Sequence, residues 1–114
     1  MEADQIGRLR DILTASRLIA SYVKDTSEAD FQADPQRQDA VVRRIEIIGE
    51  ATAHPNDEAR RELPALPFRK MRGMRNIVAH DYANVDMMIV WEVATIHIPK
   101  AASVLETYLS VEGK

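Results

Sequence analysis

Residues 34–52 read DPQRQDAVVRRIEIIGEAT, and this stretch decides the fold class. Asp34 followed by Pro35 is a helix start. The carboxylate can accept free backbone N–H groups, and the proline ring presets φ for the first helical position. From there Gln38, Val41, Ile45, Ile48 and Thr52 step by three and four, and Val42 and Ala51 widen the stripe. The pattern is one apolar face of a helix, and it stops at His54–Pro55.

Outward from this helix the same period recurs. Toward the N-terminus, Ile6, Leu9, Leu13, Ser16, Ala20 and Val23 predict a helix over 3–25, and Thr26 or Ser27 can cap a short turn containing Phe31. Toward the C-terminus, Asn56 can cap a short helix near 57–62. Pro67 opens a helix over 67–81, and Asp86 caps a last long one over 86–110. Pro99 lies inside that last pattern and predicts a kink with one lost backbone hydrogen bond. No Asn-Gly or Asp-Gly hairpin signal occurs, and no stretch alternates long enough for a half-buried strand. The expectation is an all-α protein, an antiparallel four-helix bundle plus a short extra helix, forming a single domain over residues 1–114.

The 114 residues are 46% hydrophobic and 29% charged, too apolar and too evenly charged for a disordered chain. No cysteine is present, which excludes a thiol nucleophile, a disulfide scaffold and any Cys-based metal site. The opening residues MEADQIGRLRD do not resemble a signal peptide, and no apolar run approaches the ~18 residues of a membrane span. A cytoplasmic protein with no membrane partner is the expectation. The three histidines, His54, His80 and His97, are too scattered for zinc, so no metal is expected. No Gly-rich phosphate loop occurs, and no cofactor is expected.

Net charge is −3, but its distribution is uneven. Between residues 60 and 80, Arg60, Arg61, Arg69, Lys70, Arg72 and Arg75 face Glu62 alone, a local charge of +5 against −8 for the rest of the chain. Such a cluster is either a solvated helical face or a local anion site within an acidic protein.

Inside that cluster begins RGMRNIVAHDY, residues 72–82. On a helix Asn76 and His80 share a face, one turn apart. Arg75 and His80, five residues apart, diverge by about 140°. They converge only at a frayed helix end or if a second chain completes the site. Tyr82 cannot share the His80 face and falls where the helix gives way. These residue types suit one reaction. A guanidinium can bind phosphodiester oxygens and stabilise the charge that develops as phosphorus becomes five-coordinate. A neutral imidazole can remove a proton near pH 7. RNA supplies its own nucleophile, the 2′-hydroxyl, so Arg75 and His80 could cleave it without metal to a 2′,3′-cyclic phosphate. The bland alternative is a surface arginine and a histidine near a helix C-terminus, where the dipole favours imidazolium.

The segment RGMRNIVAHDYANVD, followed by IVWE and IPKAASVLETYL, resembles the HEPN superfamily, specifically its HepT toxin branch. Upstream, RRIEIIGEA resembles that branch's second long helix, and LPFRKMRGMRN the approach to its motif. The similarity spans roughly residues 5–110. The family motif, Arg-x4-His-x-Tyr, is met by Arg75, His80 and Tyr82, with the usual polar residue after the arginine as Asn76. The resemblance implies a helical homodimer whose two motifs face each other across the interface. It implies a metal-independent endoribonuclease toxin with an RNA substrate and catalytic residues Arg75, His80 and Asn76. It also implies a minimal nucleotidyltransferase antitoxin that uses ATP to transfer AMP to Tyr82. Arg69, Lys70 and Arg72 would then line the groove and hold substrate phosphates.

Two rival functions stand beside the toxin: a non-catalytic nucleotide- or RNA-binding module on the same fold, and a structural helical adaptor. Elsewhere, His54 reads as a loop residue, and His97 as a packed or dimer-contact histidine. Glu46 and Glu50 read as a solvated pair or as partners of Arg43 and Arg44. Met71, Met74, Met87, Met88 and Trp91 read as core or interface packing.

Overall fold

The computed structural model describes residues 3–52, 61, 63 and 86–112. Every regular element among them is helical, as expected: α1 (Ala3–Val23), α2 (Glu28–Gln32), α3 (Pro35–Ala51), α4 (Met87–Glu92), a π-helical turn (Val93–His97) and α5 (Ile98–Glu112). The helix expected over 67–81 lies outside the described residues, as does the one expected over 57–62 apart from Arg61.

The caps form where the sequence places them. Asp34 Oδ1 accepts the Arg37 backbone N–H at 3.1 Å, with Pro35 in the first turn of α3. Of the two candidates for α2, Ser27 is the cap, its hydroxyl accepting from the Asp30 N–H at 3.1 Å. Asp86 Oδ1 accepts the Met88 N–H at 2.9 Å and starts α4. α1 ends two residues before its expected limit, and Asp25 just beyond it holds φ of 56°. That left-handed conformation reverses the chain, and an L side chain adopts it at some cost.

α1 packs on both α3 and α5 and also touches the π turn. Its buried face is Leu9, Ile12, Leu13, Ala15, Ser16 and Ile19. The expected stripe is corrected here: Ala20 is exposed and Ile19 is fully buried in its stead. A face covered from two sides is wider than a single i, i+3, i+4 line and takes in both neighbours at each turn. Ser16 is tolerated inside because its hydroxyl donates to the Ile12 carbonyl at 2.7 Å.

α3 buries Val41, Val42, Ile45, Ile48 and Gly49. Gln38, expected on this stripe, is half-buried. Its side-chain amide donates to the carbonyls of Phe31 and Gln32, at 2.9 and 3.1 Å, and thereby satisfies the end of α2. This contact ties α2 to α3 and holds Phe31 in the core. There Phe31 is fully buried, 5.2 Å from the ring of Trp91 in a tilted arrangement.

Around Pro99 the backbone pairing changes. An α-helix would aim the proline ring at the Thr95 carbonyl four residues back, at a cost of about 3 kcal/mol. The chain instead widens into the π turn Val93–His97, and the Ile98 N–H bonds to the Val93 carbonyl five residues earlier. Thr95 Oγ1 donates to the Trp91 carbonyl at 2.7 Å within the same turn.

The expectation that nothing is apolar enough to span a membrane is also corrected. Met87–Ser110 is a 24-residue helix that meets that test by length and composition, with a mean hydropathy of 1.3 over its 18-residue window. A third of that window is buried in the fold. Its apolar character has two sources. Val90, Val93, Ala94, Ile98, Ala101 and Leu105 enter the core, while Met88, Ile89 and Ile96 stay 60%, 49% and 46% exposed.

Two outcomes follow for stability. Phe31→Ala should lower the unfolding free energy by about 3–5 kcal/mol, the usual loss for an aromatic removed from a packed core, measured by urea denaturation. Asp25→Gly should raise it by roughly 0.5–1 kcal/mol, because glycine holds a positive φ without a Cβ penalty.

Candidate functional site

Two helix ends frame the segment that carries the candidate chemistry. α3 finishes at Thr52, which is buried. Its backbone N–H bonds to the Ile48 carbonyl at 3.1 Å and its hydroxyl to the Gly49 carbonyl at 3.0 Å. The chain re-enters the described fold at Asp86, whose backbone carbonyl accepts from the N–H groups of Ile89 and Val90, both at 3.1 Å. α3 and α4 touch each other, so departure and return belong to one packed unit. Between them Leu63 is buried in the core while Arg61 is exposed. Arg75, Asn76, His80 and Tyr82 lie outside the described residues, as do Arg69, Lys70, Arg72 and His54.

In the described fold three arginines outside the basic stretch lie against carboxylates. Arg17 Nε sits 3.4 Å from Glu106 Oε1, Arg37 Nη1 3.7 Å from Asp34 Oδ2, and Arg43 Nη1 3.3 Å from Glu46 Oε2. The three arginines are each at least a third exposed, and each pair contributes less than about 1 kcal/mol. Their importance is electrostatic: these cations are locally neutralised, and the excess of positive charge stays with residues 60–80. By sequence, the stretch over 60–80 is where an excess of positive charge is concentrated in this acidic protein.

The other sequence candidates resolve more simply. Glu46 pairs with Arg43, as one of the two expected readings had it, and Glu50 is exposed. His97 lies on the π turn with Nε2 3.5 Å from Glu92 Oε1. Among the described residues no group of three or more metal-ligating side chains comes together. A shallow open cleft of about 320 Å³ lies between the end of α1 and the start of α3, lined by Ser21, Tyr22, Asp34, Gln36, Arg37 and Ala40. Nothing in the sequence pattern announces it. Because Asp34 offsets Arg37, the cleft holds no net charge with which to select an anion.

The π turn is the feature sequence reasoning missed. Its signal was present in VATIHIP, where a proline follows a run rich in β-branched residues.

Comparison with known proteins adds what the described geometry does not carry. No solved structure gives a significant match. A protein of Methanocaldococcus jannaschii named as an RNase is 33% identical over 98 residues, 86% of this chain and 90% of its own. One from Thermococcus cleftensis, named as a ribonuclease HepT, is 36% identical over 91 residues, 80% of this chain and 83% of its own. A longer M. jannaschii protein, named as both a gamma-glutamylcyclotransferase and an RNase, is 42% identical over 92 residues. Those residues are 81% of this chain and 41% of that protein. A family model described as ribonuclease HepT-like matches residues 12–108, from the middle of α1 to the last turns of α5 and across the whole basic segment. The chain belongs to the HepT-like ribonuclease family.

Proposed function

We propose that this protein is a metal-independent endoribonuclease, the toxin of a toxin–antitoxin pair, held inactive by AMP attached to Tyr82. The observation that carries the reading is the spacing of Arg75, His80 and Tyr82 at the end of the one strongly basic stretch of a HepT-like chain. Proteins that match most of this chain are named as RNases, which supports RNA as the substrate.

In the proposed reaction His80 takes the proton from a ribose 2′-hydroxyl as its oxygen attacks phosphorus. Arg75 stabilises the charge that gathers on the non-bridging oxygens, and Asn76 orients one of the two. The bond from phosphorus to the 5′-oxygen breaks, that oxygen takes up a proton from solvent to become a hydroxyl, and the other product is a 2′,3′-cyclic phosphate. Arg69, Lys70 and Arg72 hold neighbouring phosphates. DNA lacks the nucleophile and resists cleavage. Because Arg75 and His80 diverge by about 140° on one helix, the reading includes a homodimer in which two chains complete the groove. The setting is the cytoplasm, and the partner is a minimal nucleotidyltransferase that uses ATP.

AMP on Tyr82 would place a bulky anion two residues from His80. It would occupy the position meant for substrate phosphate and pair with the arginines around it. Inhibition then follows from occupancy and charge, without refolding.

His80→Ala and Arg75→Ala should each lower the rate of RNA cleavage by the purified protein on the order of 10²-fold or more, with EDTA leaving the wild-type rate unchanged. Wild-type cleavage by His80→Ala would overturn the assignment, and a requirement for magnesium would overturn the metal-free mechanism. Co-expression with a nucleotidyltransferase encoded beside it should add the mass of AMP to the wild-type chain and not to Tyr82→Phe, read by intact-protein mass spectrometry. Neutralisation without added mass would mean that the partner acts by binding alone.

A further inference from the structure

The large hydrophobic side chains exposed among the described residues are Met88, Ile89 and Ile96, and all lie on the one helical segment Met87–Ser110. The exposed line of that segment steps by three and four and changes character along its length. Ile89, Ile96 and Pro99 are apolar, whereas Ser103 and Glu106 are polar. An exposed apolar residue standing alone is ordinary, but several gathered on the outer side of one helix mark a contact surface.

The charges on this face indicate what covers it. Glu92 lies four residues before Ile96, and Lys100 lies four residues after it. Both are exposed, Glu92 over 58% of its side chain, and among the described residues no carboxylate pairs with Lys100. When two copies of the helix pack antiparallel with Ile96 on a two-fold axis, each residue before Ile96 meets the one equally far beyond it on the other copy. Glu92 then meets the partner's Lys100, and the symmetry makes the same pair a second time. A parallel pairing would set Glu92 against Glu92 and Lys100 against Lys100, so the charges select the antiparallel one. Met88 reaches the partner's Val104, and the contact ends where the exposed line turns polar.

We propose that the protein forms a two-fold dimer through this face, with Ile96 on the axis and Glu92–Lys100 pairs on either side of it. The face deepens the proposed ribonuclease reading by saying how its two chains meet, and to that extent rests on it; the contact itself stands on the described helix alone. It is about 24 Å long and about one helix wide, less than the roughly 800 Å² per partner of a standard interface, so self-association is expected in the micromolar range.

Sedimentation across that range should show a dimer for the wild-type chain. Ile96→Glu, which sets two carboxylates together on the axis, should be a monomer with unchanged helical circular dichroism. Glu92→Lys and Lys100→Glu should each weaken self-association on the order of tenfold, as two attractive pairs become repulsive ones. Added salt should narrow that difference. One variant carries two cations on this face and the other two carboxylates, so mixing them in equal amounts should give a mixed dimer as strong as the wild type. Substitutions that act only within their own chain give no recovery on mixing. A wild-type monomer would overturn the proposal together with the homodimer in the ribonuclease reading. A dimer that persists in Ile96→Glu, or no gain on mixing, would overturn this interface and leave a homodimer through another face. If Ile96→Glu loses its helical signal, the mixing experiment decides. Dimers that behave as described, in a protein that does not cleave RNA, would uphold the interface and remove the ribonuclease site.

Discussion

The described fold depends on α1 being buried from two sides. Its wide apolar face, with Leu9, Ile12, Leu13, Ala15, Ser16 and Ile19, rests on α3 and α5 together, so those two helices are positioned by a shared partner. Apolar burial is non-directional and scales with area, so no polar contact is needed to select this arrangement. The exposed Arg17–Glu106 pair at the same interface adds little beyond it. α4 reaches the core through a second contact, Trp91 against Phe31 of the short helix α2. Between them these two contacts locate Thr52 and Asp86, the points where the basic segment leaves and rejoins the fold.

Charge divides the molecule in a related way. Outside residues 60–80 the chain carries a net charge of −8, and the arginines placed on α1 and α3 at 17, 37 and 43 lie against carboxylates. In sequence, the excess of cations falls within 60–80, between the two anchored helix ends. A HepT-like ribonuclease with a net charge of −3 is therefore no contradiction, since a polyanion responds to the local field within about a Debye length rather than to the sum over the chain.

Much of the fold was legible in the residues. Asp34–Pro35, Ser27 and Asp86 announce helix starts because capping is a local interaction within three residues of chain. The stripe over 41–52 announces a buried face because a helix repeats every 3.6 residues. The candidate site was legible in a different sense. Arg75, His80 and Tyr82 stood out by residue type, by spacing and by their place in a charge cluster, none of which requires knowing where the chain goes next.

By itself, then, the sequence determined the helical class, the caps, the apolar faces and the family motif, since each is written in neighbours along the chain. Only the tertiary structure decided that Ile19 rather than Ala20 faces inward, because that depends on α1 having two partners. The same holds for Gln38, which reaches across to close α2 because Phe31 is drawn into the core. It holds most clearly for Pro99. The local rule predicts a kink and a lost hydrogen bond, but it does not say which carbonyls the preceding turn will use. In the folded protein the chain widens into the π turn Val93–His97, where the Ile98 N–H meets the Val93 carbonyl just ahead of the proline, a choice among helical hydrogen bonds that the sequence pattern leaves open.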